Sequence, residues 1–351
     1  MSVGMRRYVG ELVKRLPDVA PDLRFIAVTN ASLDAHPDIG IVRIDDASAA
    51  NGSFGEMVRL PSLMNRTRPS IGHYTTPYAP RWSPFPYVYT IHDLIHRRFP
   101  EYHSWKIPPY YALLVGPVAR KARAVTVMTK ATVPDVQTYL RVPPQRVRVV
   151  PLGASEAFHV DDAQRPALAA YARERFGLTR PFLFYAGNHR RHKNLETLVA
   201  GWARLHDACD LAITEEGAFD FDVDRYPKAD GRIVRLGHLD EHDLVAVYAA
   251  CTVAVQPSLY EGFGLSVVEA MAAGAACVVA QTPALLEVAG DTALTFAPRD
   301  AQALASCVET LMHDGALRSR LCDAGKHRAI GYSWDQTARG TAAVYREAIG
   351  S

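Results

Sequence analysis

Short apolar runs rich in Val, Ile, Phe and Tyr alternate along the whole chain with stretches in which apolar residues recur every three or four positions. The runs suit strands buried on both faces and the second pattern suits helices with one apolar side. Their alternation specifies parallel sheets built from βαβ crossovers. Strands are expected over residues 23–28, 39–44, 71–74, 87–92, 125–128 and 147–151, and then over 182–186, 211–214, 233–236, 253–256, 277–280 and 294–296. Each set suffices for an open sheet of its own, so the chain reads as an α/β protein of two domains.

The best boundary is Val150-Pro151-Leu152-Gly153, where a strand runs into Pro and Gly. It divides an N-terminal domain, residues 1–152, from a C-terminal domain, residues 153–331. In the last stretch, 332–351, Trp334, Ala338, Ala342, Val344 and Tyr345 fall at helical spacing, and this helix is expected to cross back to the first domain. The start is unusual. Met5, Tyr8, Val9, Leu12, Val13 and Leu16 recur at helical spacing almost from the first residue, where a doubly wound domain opens with a strand. The N-terminal domain is therefore expected to lack its first strand.

With 351 residues, 48% hydrophobic and 22% charged, the chain can bury a core in each half. Its five cysteines show no CxxC spacing and fall in the second half, which suits reduced, mostly buried thiols in a cytoplasmic protein and neither a disulfide frame nor a zinc site. No apolar run approaches the ~20 residues of a membrane span, and no signal peptide is recognisable. Residues 1–150 hold 20 Lys and Arg against 11 Asp and Glu, leaving 19 against 26 for the remainder: +9 against −7. A basic N-terminal half suits an anionic membrane surface or a phosphorylated acceptor, and an uneven but merely solvated surface reads the same way. Nucleic acid is not among the partners expected.

The most informative stretch is Gln256-Pro-Ser-Leu-Tyr-Glu-Gly-Phe-Gly-Leu-Ser-Val-Val-Glu-Ala-Met271. A buried strand ends at Pro257, a loop carries Glu261, Gly262, Phe263 and Gly264, and an apolar helix follows. The backbone N–H groups from Gly262 to Leu265 then sit at a helix N-terminus, where donors and dipole favour an anion such as phosphate. Glu261 stands just before that site and Glu269 about one turn into the helix. Two carboxylates beside an anion are costly unless they accept hydrogen bonds, as from the hydroxyls of a sugar and a ribose. A second cluster, Arg190, Arg191 and Lys193, follows the strand 182–186 at the C-terminal edge of the sheet, where open α/β sheets bind ligands. It reads as a diphosphate clamp, or as a basic surface loop.

Together these residues resemble the retaining nucleotide-sugar glycosyltransferases of family 4, in particular bacterial polysaccharide mannosyl- and hexosyltransferases. The resemblance implies the GT-B fold, two Rossmann-like parallel-sheet domains facing a cleft. It also implies that Glu261 contacts the donor sugar, Glu269 holds the ribose, Phe263, Gly264 and Leu265 touch donor through their backbone, and Lys193 binds phosphate. The arginine that partners this lysine usually follows the strand glycine directly. Asn188 occupies that place here, so Arg190 or Arg191 would substitute. In the first half, Thr90-Ile-His-Asp93 resembles the family's strand-end His-Asp, making His92 the group that faces the donor sugar. Gly4 resembles the end of the family's first loop, which approaches donor phosphate.

The catalytic set implied is thus His92, Glu261, Lys193 and Arg191, with Gly4, Arg190, Gly262, Phe263, Gly264, Leu265 and Glu269 binding donor. No metal and no cofactor are implied; the co-substrate would be GDP-mannose or a UDP-hexose, and the acceptor a glycan or a polyprenyl-linked sugar. Arg97, Arg98, Phe99, Tyr102, Trp105, Lys106, Tyr110 and Tyr111 mix basic and aromatic groups that suit peripheral contact with the inner membrane face, though core packing of the aromatics reads equally well. A non-catalytic nucleotide-sugar binding protein and a GT-B epimerase remain alternative readings.

Overall fold

The computed structural model describes residues 3–29, 34–43, 54–214, 219–227 and 230–350. The chain forms two compact units, one of Met1–Gly153 with Trp334–Ser351 and the other of Ala154–Ser333.

In the first unit β1 (Ile26–Thr29) pairs in parallel with β2 (Gly40–Arg43), while β3 (Gly72–Tyr74), β4 (Tyr87–Thr90), β5 (Ala124–Val127) and β6 (Val147–Val149) form a separate parallel sheet in that order. Every residue of β4 and β5 is buried, as a sheet covered on both faces requires. β1 starts three residues later than the apolar run suggests, because Leu23 donates to the Ala20 carbonyl and closes a turn there. Ile44 lies outside the described residues, as do parts of neighbouring loops.

The first described element is the helix Val3–Val19, which buries Tyr8, Leu12, Val13 and Leu16, residues spaced to fall on one face. Gly4 sits in its first turn, so it is helical where the sequence suggests the end of a loop. The helix Trp334–Gly350 packs beside it, burying Trp334, Ala338, Ala342 and Tyr345. Gly340 makes close approach possible, since a Cβ there would lie 3.2 Å from Val150. Polar ties hold the same helix: Thr337 donates to the Pro151 carbonyl at 2.7 Å, and Arg15 reaches Asp335 at 2.9 Å.

The second unit is one parallel sheet of β7 (Phe182–Tyr185), β8 (Asp210–Ile213), β9 (Ile233–Arg235), β10 (Val253–Gln256), β11 (Cys277–Ala280) and β12 (Ala293–Phe296), ordered 12-11-10-7-8-9. β7, β8, β10 and β11 are buried throughout. β8 takes in Asp210, a buried carboxylate that apolar patterning passes over, which is bonded to Arg232. Helices cover the sheet: Leu195–Trp202 against Ala301–His313, Arg165–Phe176 against Glu241–Ala250, and Leu265–Ala272 against Gly315–Ala329. Cys209, Cys251, Cys277 and Cys322 are buried, and none of the five cysteines forms a disulfide among the described residues. No described helix is long and apolar enough to cross a membrane.

Candidate active site

The sheet order makes β7 and β10 neighbours, so the loops leaving their C-terminal ends run side by side. The loop after β7 is anchored on β8. Gly187 exchanges two hydrogen bonds with the Thr214 hydroxyl, at 2.9 and 3.0 Å, and His189 Nε2 donates to the Thr214 carbonyl at 2.8 Å. After the short turn Arg191–Lys193 comes Asn194, whose φ of 58° lies in the left-handed region that Asn tolerates. Its amide donates to the Pro257 carbonyl at 3.0 Å, and the Leu259 N–H donates to the His192 carbonyl at 2.8 Å. These two bonds stitch the β7 loop to the β10 loop.

The stitching delivers Lys193 to Glu261, Nζ to Oε1 at 2.7 Å. The same oxygen accepts from Gln256 Nε2 at 2.8 Å and from Ser258 Oγ at 2.7 Å. Burial alone would raise the Glu261 carboxyl. The Lys193 ammonium and the Ser258 hydroxyl outweigh it and hold the group below the usual carboxylate range. Gln256 and Ser258 were missed by sequence reasoning, which credited carboxylate solvation to ligand hydroxyls. Their signal is the spacing itself, a polar pair at the end of an otherwise apolar strand, five and three residues before Glu261.

Beyond Glu261 the chain turns at Gly264, φ 110°, into the helix Leu265–Ala272. That backbone conformation favours glycine, and a Cβ would also stand 2.8 Å from Leu285 Cδ2. No side chain caps this helix and its first turn holds no acidic residue, so its N–H groups remain suited to an anion. Phe263 is buried with its ring 5.6 Å from that of Tyr332, and Glu269 is buried within the helix. Arg190 and Arg191 are exposed, and Arg191 pairs with Asp220 at 3.1 Å. Of the three basic residues in the loop, the structure brings Lys193 to the acidic site and holds Arg191 on a different carboxylate.

His92 lies in the other unit, just past β4. Its Nε2 is 2.9 Å from the Thr75 carbonyl oxygen, which only accepts, so Nε2 carries the proton and Nδ1 presents a lone pair. Burial pushes the imidazole below its ordinary value, with the Thr75 bond and Asp93 opposing, so the ring is neutral at pH 7. Tyr8 packs edge-on against it, ring centroids 5.2 Å apart. Behind it runs a polar chain that sequence reasoning also missed. His73 Nδ1 meets the Tyr345 hydroxyl at 2.6 Å, its Nε2 meets Thr90 Oγ1 at 2.7 Å, and Thr90 meets Thr126 at 2.6 Å.

Parallel sheets, loops gathered at the C-terminal ends of β7 and β10, and a half-buried lysine–carboxylate pair just before a helix N-terminus define an open α/β protein of the class that binds ligands at this edge of the sheet. Comparison with known proteins makes the class specific. The family described as Glycosyltransferase Family 4 matches residues 3–158, and that described as Glycosyl transferases group 1 matches residues 171–328. The chain belongs to the family 4-type glycosyltransferases and has the GT-B fold. A glycogen synthase of Mycobacterium tuberculosis is 35% identical over 46% of this chain and 42% of its own, so the match spans less than half the length of that relative. An O-antigen chain mannosyltransferase B of Escherichia coli is 25% identical over 74% of this chain and 70% of its own. The Anabaena protein HepE, solved in complex with UDP-glucose, superposes with a TM-score of 0.75 at 15% identity, over 99% of this chain and 97% of the other.

Proposed function

We propose that the protein is a retaining, metal-independent glycosyltransferase that moves a hexose from a nucleotide diphosphate sugar to a glycan or lipid-linked acceptor, on the cytoplasmic side, in cell-surface polysaccharide synthesis. The observation that carries this reading is the Lys193–Glu261 pair set directly before the Gly264 turn and the uncapped helix start. It joins a cation, a half-buried carboxylate and backbone donors at one place, as a glycosyl diphosphate demands. The mannosyltransferase relative supports mannose as the sugar, which fits GDP-mannose as donor, and the UDP-glucose complex supports a UDP-hexose.

In this mechanism the diphosphate oxygens take hydrogen bonds from the N–H groups at Gly264 and Leu265 and a charge-assisted bond from Lys193, with Arg190 or Arg191 as a further cation. Charge developing on the leaving oxygen as the C1–O bond breaks is met by donors already in place, which is preorganised electrostatic stabilisation. The acceptor hydroxyl attacks C1 from the face the diphosphate leaves, and its proton passes to the departing phosphate oxygen, so configuration is kept without a glycosyl-enzyme. Glu261 accepts a sugar hydroxyl with its second oxygen, Glu269 holds the ribose, and His92 accepts a sugar hydroxyl at Nδ1.

The test is transfer of label from GDP-mannose and from UDP-glucose to lipid-extracted acceptors, with and without EDTA, and NMR of the new linkage. A product with the donor's anomeric configuration, formed in EDTA, is expected. Conversion of donor without acceptor would identify an epimerase, and saturable donor binding with neither reaction would identify a binding protein.

A further inference from the structure

The excess positive charge of the N-terminal half is local. Residues 66–150 hold 13 Lys and Arg against 3 Asp and Glu, and residues 102–134 contain no acidic residue at all. Within that stretch the helical residues 107–121 bury one side, through Tyr111, Val115, Val118 and Ala119. The other side does not return to polar residues as a solvated helix face would. It exposes Pro109, Ala112 and Leu113, the last 62% accessible, and is preceded by Trp105, 79% accessible, with the Lys106 ammonium 5.8 Å from its indole ring. Arg120, Lys121 and Arg123 are exposed at the far end.

A loop extends the same surface. Tyr110 donates to the Pro77 carbonyl at 2.9 Å and its ring lies 6.3 Å from that of Tyr78, which brings up the exposed Tyr78, Arg81 and Trp82, the last 66% accessible. Trp105 and Trp82 are the two most exposed large hydrophobic side chains among the described residues. The fold thus divides the aromatic and basic run of residues 97–111, sending Tyr111 to the core and Trp105 to the surface.

We propose that this face, centred on Trp105, Lys106 and Leu113 and continued by Trp82, docks the protein on a bilayer containing anionic phospholipid. Indole rings with an apolar body and a polar N–H partition to the headgroup level, and lysine and arginine stems lie along apolar surface while their charges stay at the phosphates. Charge complementarity selects this partner: exposed cations flank the apolar residues and no carboxylate occurs across the segment, whereas a protein partner or a second copy would have to bury the same cations. The inference stands apart from the donor reading, since vesicle binding through this face requires no transfer.

The experiment is sedimentation of the full chain with vesicles of phosphatidylcholine alone or mixed with phosphatidylglycerol, alongside tryptophan emission. Trp202 and Trp334 are buried, 3% and 1% accessible, so an emission shift on binding reports Trp82 and Trp105. Wild type is expected to bind the mixed vesicles with a blue shift, and high salt to weaken it. The double variants W105S/L113S and K106E/K121E should each partition about tenfold less. These side chains are exposed, so an unchanged thermal midpoint will show that each variant folds. Absence of binding to mixed vesicles, or equal binding by wild type and both variants, overturns the proposal. So does concentration-dependent dimerisation that W105S/L113S abolishes, which would assign the face to a second copy.

Discussion

Lys193 Nζ stands 2.7 Å from Glu261 Oε1, and the two residues are 68 positions apart in the chain. On the proposed donor site, Glu261 and an incoming diphosphate compete for the same Lys193 ammonium. Glu261→Gln should therefore leave binding of a nucleoside diphosphate intact or tighter while lowering the rate of transfer. Lys193→Met should lose both, and should also cost about 1.5 to 3 kcal/mol of stability by leaving a half-buried carboxylate without its cation. Calorimetric titration with GDP and UDP, with urea unfolding of each variant, checks the two arms; weaker nucleotide binding by Glu261→Gln would refute the competition.

Gly264→Ala tests the turn that sets the helix start. The new Cβ meets both a left-handed backbone and Leu285 at 2.8 Å. The expected loss is about 1 to 3 kcal/mol, with a raised donor KM because the N–H groups shift. Chemical denaturation and steady-state kinetics report the two effects separately.

The tautomer of His92 makes a prediction about pH. Its folded-state value is lowered, so the neutral ring with an acceptor at Nδ1 persists through neutral pH and is lost only as pH falls below the ordinary 6.5. Donor kcat/KM should be flat above pH 6.5 and fall on the acid side. His92→Phe, which keeps a ring and removes both nitrogens, should lower the plateau by about tenfold, the equivalent of one neutral hydrogen bond. A falling limb on the alkaline side between pH 7 and 8 would contradict a neutral His92.

His73 makes the first unit acid-sensitive. Burial, with a smaller effect from His92, pushes its imidazole down to about 3 from 6.5. Below pH 6.5 the unfolded chain takes up a proton that the folded chain refuses, so this contribution to stability is complete above pH 6.5 and is lost as pH falls toward 3. The slope should reach about 1.4 kcal/mol per pH unit. His73→Gln should flatten it, as measured by urea midpoints across that range.

Much of this molecule was legible before its structure. The strand runs, the carboxylates at Glu261 and Glu269, the glycine loop before the helix and the basic loop ending in Lys193 each depend on residues close together in sequence. What was not legible depends on distant neighbours. Nothing near Arg191 announces Asp220, the resemblance puts Glu261 and Lys193 around one donor without announcing their direct ion pair, and Gly4 looks like a loop glycine until the helix around it is seen. His73 and Tyr345, 272 residues apart, meet only because the last helix lies on the first unit.

The amino-acid sequence alone determined the parallel α/β class and the position of the glycine turn between β10 and the helix that follows it. Periodicity and backbone sterics act over a few residues, so they can be read in order along the chain. The tertiary structure decided which charges meet. The second unit's sheet runs 12-11-10-7-8-9, which seats β10 beside β7 and so lays the Glu261 loop against the Lys193 loop. Strand neighbours are chosen by burial of whole faces across the sheet, a global quantity that no local stretch of residues encodes.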